Sequence, residues 1–87
     1  MKIVAKQIDM IAKFNREKVP VPYKFRYEQS SGEYLEIKID KILATESRRL
    51  AGIETIIYTC QSEVEGEVRM YELKYIIGQY RWELYKI

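Results

Sequence analysis

The chain has 87 residues, of which 47% are hydrophobic and 32% are charged. This length fits one small domain, which we predict over residues 1–87, and the composition is typical of a globular protein rather than a disordered one. No uncharged apolar run reaches the roughly 18 residues that cross a bilayer, and charges interrupt any signal-peptide core near the N-terminus. We therefore expect a cytoplasmic protein with no membrane segment.

The residue types that most often carry chemistry are scarce. Histidine is absent and Cys60 is the single cysteine, which excludes an intramolecular disulfide, zinc-finger spacing and histidine-dependent catalytic triads. The four glycines do not have the spacing of a phosphate-binding loop. We expect no catalytic residues, no metal ligands and no cofactor, and we predict that the chain is not an enzyme.

The first fourteen residues allow two interpretations. Ile8, Met10 and Phe14 fall at the alternating positions of a strand, whereas Val4, Ile8 and Ile11 fit the stripe of a helix. The strand is favoured because residues 15–18 then form a turn into the next extended segment.

The second segment is predicted to form a hairpin with the third. Pro20 and Pro22 keep its start extended and remove two backbone donors, which places them at a sheet edge or before full pairing begins. Residues 23–27 and 35–39 then alternate apolar and charged side chains, and the serine–glycine stretch at 30–33 between them is typical of a tight turn.

The second half of the chain is predicted to be a meander. Residues 44–52 form either a short helical turn, around residues 45–51, or a loop. Strands are predicted at 53–61, 69–77 and 80–87, with turns at Glu65-Gly66 and Gly78-Gln79. The predicted fold is all-β: an antiparallel meander of five or six strands that forms a small barrel or a strongly rolled sheet. Its expected core includes Trp82, Phe14, Phe25 and most inward-facing tyrosines.

Two groups of basic residues are candidate binding residues. Arg48 and Arg49 are adjacent on the longest predicted connection, where they could together grip a phosphate or a carboxylate. A second group would be brought together by a hairpin of the first two strands: Lys13, Arg16, Lys18, Lys24 and Arg26. These charges fit either a phosphate-binding edge or ordinary solvated faces that complement an acidic stretch.

Several short motifs in the second half resemble known small bacterial domains. They are Leu50-Ala51-Gly52, Cys60-Gln61-Ser62, Tyr71-Glu72-Leu73-Lys74-Tyr75 and Trp82-x-Leu84-Tyr85-Lys86-Ile87. Together they resemble an uncharacterised all-β domain of clostridia and related Firmicutes, and they are faintly similar to small domains found with translesion DNA polymerase genes. The resemblance implies an all-β fold, a bacterial cytoplasmic protein and a slight tilt towards DNA metabolism, but no activity.

The function predicted from these observations is a non-catalytic interaction module. It would bind a protein partner, or a second copy of itself as a homodimer, through a sheet edge or face. The alternative is a nucleic-acid-binding module that uses the basic hairpin and the Arg48-Arg49 pair. A histidine-free enzyme is the third and weakest possibility.

Overall fold

The computed structural model describes residues 1–17 and 19–87, with the main chain alone at Leu50. The chain is all-β, and a single 3-10 turn at Ile77–Gln79 is the one helical element in the described ranges. No helix there is long and apolar enough to cross a membrane. The seven strands are β1 (Ile3–Phe14), β2 (Pro20–Glu28), β3 (Tyr34–Lys38), β4 (Lys41–Leu50), β5 (Ile53–Val64), β6 (Glu67–Ile76) and β7 (Arg81–Lys86).

All seven strands belong to one antiparallel sheet, which is rolled into a half-barrel. The spatial order is β3-β2-β1-β7-β6-β5-β4, so that two meanders are joined where the first strand pairs with the last. The prediction of an antiparallel, rolled β-sheet is confirmed. The predicted number of strands, five or six, is slightly too low.

The short connection from β3 to β4 requires the sheet to roll. These strands lie at opposite edges of the sheet, yet only Ile39 and Asp40 separate them in sequence. The amide of Ile39 donates to the carbonyl of Tyr23 on β2 at 2.9 Å, and the amide of Asp40 donates to the carbonyl of Gln61 on β5 at 3.1 Å. Within two residues the chain leaves one edge and joins the other, so the two edges meet at this end of the half-barrel.

The hydrophobic core lies on the concave face of the sheet. Its aromatic members contact one another: the Trp82 ring centroid lies 4.7 Å from that of Tyr75 and 5.4 Å from that of Tyr58. Buried and partly buried side chains alternate from Tyr71 to Tyr75 on β6 and from Arg81 to Tyr85 on β7, whereas on β5 Thr55 and Ile57 of the opposite face are buried as well. The core cluster consists of Ile8, Phe25, Ile37, Ile39, Ile56, Tyr58, Cys60, Tyr71, Leu73, Tyr75, Trp82 and Leu84.

The N-terminal segment is a strand, as favoured, and not a helix. Phe14, however, was wrongly predicted to be in the core, because its side chain is 61% exposed. It is the last residue of β1, and its ring only touches the edge of Tyr75, with the centroids 6.2 Å apart. Pro20 and Pro22 pair with β1 but precede the stretch of β2 that pairs with β3, as their missing amide donors predict.

The helical turn or loop expected around residues 45–51 is wrong. Residues 41–50 form strand β4, which pairs with β5 up to the Leu50–Ile53 pair. Ala51 and Gly52, with φ of 50° and 79°, form the two-residue turn between them. Two successive positive φ values give the twist that matches a hairpin, and this favours a tight turn over a helical one.

Replacing Trp82 with alanine tests the position of the core. Trp82 is 7% exposed and contacts two rings, so Trp82→Ala should lower the free energy of unfolding by about 3–5 kcal/mol, measured by urea denaturation. Tyr80→Ala is the control, since Tyr80 is 85% exposed and its loss should cost less than about 0.5 kcal/mol. Equal effects of the two changes would contradict this core.

Candidate functional site

The most distinctive surface of the molecule is the outer edge of β4. This strand is hydrogen-bonded to β5 on one side, and no described strand pairs with its other side. Every side chain described on it, from Lys41 to Arg49, is exposed. An unpaired strand edge presents a row of backbone donors and acceptors to which another chain can add a strand.

The free edge of β4 is regular over seven residues. A bulge interrupts its pairing with β5 between Ile42 and Ala44, and the turn at Ala51 ends it. The other edge of the sheet, β3, has only five residues. The regular stretch Ala44–Leu50 is therefore the longer template for strand addition.

Main-chain groups along β4 point alternately towards and away from β5. Leu50 and Ile53 flank the two-residue turn, and such flanking residues exchange both backbone hydrogen bonds. Because the direction alternates at every residue, the amides and carbonyls of Arg48 and Glu46 also face β5. In agreement, the Thr55 hydroxyl of β5 donates to the Arg48 carbonyl at 3.2 Å. The amides and carbonyls of the intervening residues point to the free side: Thr45, Ser47 and Arg49.

Opposite charges flank the centre of this edge. Glu46 and Arg48 share the convex face, and a guanidinium nitrogen of Arg48 donates to a carboxylate oxygen of Glu46 at 3.0 Å. This hydrogen bond, together with the charge of Arg48, lowers the pKa of Glu46. The pair is exposed, so both groups remain accessible to a charged partner.

On the concave side of the sheet, the β4 side chains next to the core are small and carry hydroxyl groups. Cross-strand neighbours form rows around this face, and one row passes through Trp82, Tyr75 and Ile56 and ends at Ser47. The neighbouring row ends at Thr45, opposite the buried Tyr58. Hydroxyl groups in these positions suit the boundary where the apolar interior meets solvent.

Arg48 and Arg49 do not form the shared binding site for a phosphate or a carboxylate that was predicted for them. They lie on a strand rather than on a connecting loop, and adjacent strand residues point to opposite faces. Arg48 binds Glu46 on the convex face, whereas Arg49 binds Glu54 at 2.6 Å on the other. Each guanidinium therefore already has its own carboxylate, and the two cannot hold a single anion between them.

The predicted basic hairpin of β1 and β2 forms, but carboxylates accompany two of its bases. Lys24 lies 2.9 Å from Glu36 of β3, and Arg26 lies 3.1 Å from Asp9 of β1. These four side chains line a shallow depression on the outer face of β1, β2 and β3. Alternating charges at this spacing are typical of a solvated sheet face, where each exposed pair contributes little to stability.

The remaining predicted bases lie towards the end of the first hairpin. Lys13 and Arg16 are exposed, and neither forms an ion pair with a residue in 1–17 or 19–87. Lys18, the last of the predicted set, lies outside the described residues. Among the described members of the predicted set, Lys13 and Arg16 are thus the two without a carboxylate partner. They are the strongest support for the nucleic-acid alternative.

Cys60 lies in the hydrophobic core. Its side chain is fully buried, and burial raises the pKa of its thiol to about 12. A thiol that stays protonated is a poor nucleophile. Within the described ranges, no three acidic or cysteine side chains are grouped so that they could hold a metal ion.

Comparisons with known proteins add no relative. The chain matches no protein-family model, no curated protein sequence and no solved structure. The resemblance to a clostridial domain accordingly stays a prediction, as does its link to DNA metabolism.

The sequence analysis did not predict that residues 41–50 form an edge strand, although the sequence contains one indication of it. Ala51-Gly52 stands between the Thr45–Leu50 stretch and the β-rich segment that starts at Ile53, and a small residue followed by glycine suits a two-residue hairpin turn. Reading this pair as a turn would have placed Arg48 and Arg49 on a strand.

Proline substitutions test which backbone groups of β4 face outward. Ser47→Pro removes an amide that points to the free side, so its melting temperature should remain within a few degrees of the wild-type value. Glu46→Pro removes an amide that bonds to β5 and should cost about 1 kcal/mol or more. Equal destabilisation by the two prolines, measured by thermal denaturation, would contradict the assigned alternation.

Alkaline pH should destabilise the fold. Burial raises the pKa of Cys60 to about 12 from 9.0 and that of Tyr58 to about 12 from 10.0, and it also raises the pKa of Tyr71. Above about pH 9 the unfolded chain loses these protons while the folded chain keeps them, so the free energy of unfolding should fall between pH 9 and 12. Below pH 9 these groups should add no pH dependence.

Urea denaturation between pH 7 and 11 measures this effect. Cys60→Ala should remove the part of the decline that begins at the lowest pH, because the thiol has the lowest ordinary pKa of the three groups. A free energy of unfolding that is constant up to pH 11 would show that these groups titrate normally in the folded chain.

Proposed function

We propose that this chain is a non-catalytic interaction module that binds a protein by adding a strand of that protein to the free edge of β4. The observation that carries the proposal is the regular stretch Ala44–Leu50, whose side chains are exposed from Ala44 to Arg49. This stretch is paired with β5 on one side and with no described strand on the other. Strand addition of this kind takes its affinity from main-chain hydrogen bonds and its specificity from the side chains that alternate along the edge.

The side chains of the edge specify the chemistry of the added strand. An incoming strand would meet a carboxylate at Glu46 and a guanidinium at Arg48, two residues apart on the same face. Opposite charges directly across a strand pair stabilise it, whereas like charges destabilise it. A suitable partner therefore places a basic residue opposite Glu46 and an acidic residue opposite Arg48.

Nucleic acid is the weaker candidate. Four of the seven predicted bases are held by carboxylates, at Lys24, Arg26, Arg48 and Arg49. Phosphate binding at these positions would have to displace an acidic neighbour that repels the ligand. Only Lys13 and Arg16 offer unpaired positive charge among the described members of the set.

Affinity capture with matched variants tests the proposal. The immobilised wild-type chain, mixed with a nuclease-treated lysate of its native cells, should retain a protein, or a second copy of itself, that Ser47→Pro fails to retain. Ser47→Pro blocks the edge, because proline cannot supply the outward amide. Lys24→Glu is the control, since it reverses a half-buried charge on β2, which does not pair with β4, and should leave retention unchanged.

Two outcomes would overturn the proposal. One is retention that Ser47→Pro does not reduce, which would place the interface elsewhere. The other is retention that occurs only when the nuclease treatment is omitted and that is lost when Lys13 and Arg16 are both changed to glutamate. That second result would favour the nucleic-acid alternative, and the bound material would dissociate as the salt concentration rises.

A further inference from the structure

We propose that the strand added to β4 is β4 of a second copy of this chain, antiparallel and related by a two-fold axis at Ser47. The inference rests on the proposed function and names its partner. Most homo-oligomers are symmetric dimers, and a two-fold interface must be complementary to itself. The question is therefore whether this edge complements its own copy.

Length is the first argument for self-pairing. The regular stretch Ala44–Leu50 lies between the bulge and the turn, and its middle residue is Ser47. An antiparallel pairing that uses the whole stretch in both copies places Ser47 opposite the partner's Ser47. Because the Ser47 main chain points to the free side, the two serines can exchange backbone hydrogen bonds across the axis.

Charge is the second argument, and it selects the same register. With the axis at Ser47, Glu46 lies opposite the partner's Arg48, and symmetry repeats this pair on the other side of the axis. Within each copy Glu46 and Arg48 already bind each other, and both are exposed on the same face of the sheet. The two pairs can therefore meet across the axis with each carboxylate beside a guanidinium of the other copy, without a rearrangement of the fold. Opposite charges facing each other across two strands stabilise the pair.

The neighbouring registers bring like charges together. An axis at Glu46 places that carboxylate opposite its own copy, and an axis at Arg48 does the same for two guanidinium groups. An axis at Thr45 would carry the pairing past Ala44 into the bulge, where the alternation of the free edge is interrupted. Charged residues on an edge strand normally prevent indiscriminate pairing, and here the same charges disfavour the registers at Glu46 and Arg48 while favouring the one at Ser47.

Charge reversal tests the proposal directly. Sedimentation velocity over a range of concentrations should show a wild-type dimer whose Kd rises at least about tenfold in E46R and in R48E, because each change places like charges at both symmetric positions. The double variant E46R/R48E should recover wild-type association, since it restores two opposite-charge pairs. Lys24→Glu should have no effect.

Mixing the two single variants gives a sharper result. A chain with arginine at both positions and a chain with glutamate at both positions complement each other, so native mass spectrometry should show heterodimers in excess of either homodimer. A misfolded variant would not recover association in this way. Ser47→Pro should be monomeric with its fold intact.

The outcomes separate this inference from the proposed function. A wild-type chain that stays monomeric up to about 1 mM would overturn self-pairing. If Ser47→Pro then still abolishes capture of another protein, strand addition stands and only the identity of the partner is wrong. A dimer that withstands both E46R and R48E would place the self-association surface elsewhere.

Discussion

The connection between β3 and β4 is the constraint on which the rest of the molecule depends. Two residues must carry the chain from one edge of the sheet to the other, and this is possible only if the sheet rolls until those edges meet. Ser62, fully buried on β5, holds the connection: its hydroxyl donates to the Lys38 carbonyl at 2.7 Å and lies 2.6 Å from the Tyr71 hydroxyl. Asp40 completes it by accepting the Glu63 amide at 2.8 Å.

This constraint explains both the core and the free edge. Rolling the sheet turns one face inward and brings rings from distant strands together, as in the contact between Phe25 on β2 and Tyr71 on β6, with the centroids 5.6 Å apart. The chain leaves β2 at Ile39 and bonds to β5 from Asp40 onward. Because no described strand pairs with the other side of β4, the barrel stays open along that strand. The strand that the chain forms after the crossing, β4, is therefore an edge strand with no described strand on its outer side.

The sequence predicts the paired strands well because their alternation records burial. Tyr71, Leu73 and Tyr75 point inward and are buried, and the all-β class follows from such runs. Strand β4 shows no comparable alternation, because an edge strand beside an open barrel buries neither face. Propensity and pattern then leave Thr45–Leu50 ambiguous, and only its pairing with β5 decides the conformation.

The candidate site could be predicted only in part for a related reason. Arg48 was identified as a candidate residue, but its partner Glu46 and the opposite orientation of Arg49 depend on strand geometry. The ion pairs of Lys24 and Arg26 depend on the register of three strands, which composition does not encode. A charged residue in a sequence therefore predicts an exposed position. Which of these charges form ion pairs depends on the register of the strands.

Amide hydrogen exchange along β4, read by NMR in dilute and in concentrated protein, tests the central claim most directly. In dilute solution the amides of Ala44, Glu46 and Arg48 should be protected by β5, whereas those of Thr45, Ser47 and Arg49 should exchange freely. Raising the concentration should slow exchange at the second set alone, because a second copy then covers the free edge. Uniform exchange along β4, or no change with concentration at Ser47, would contradict the account.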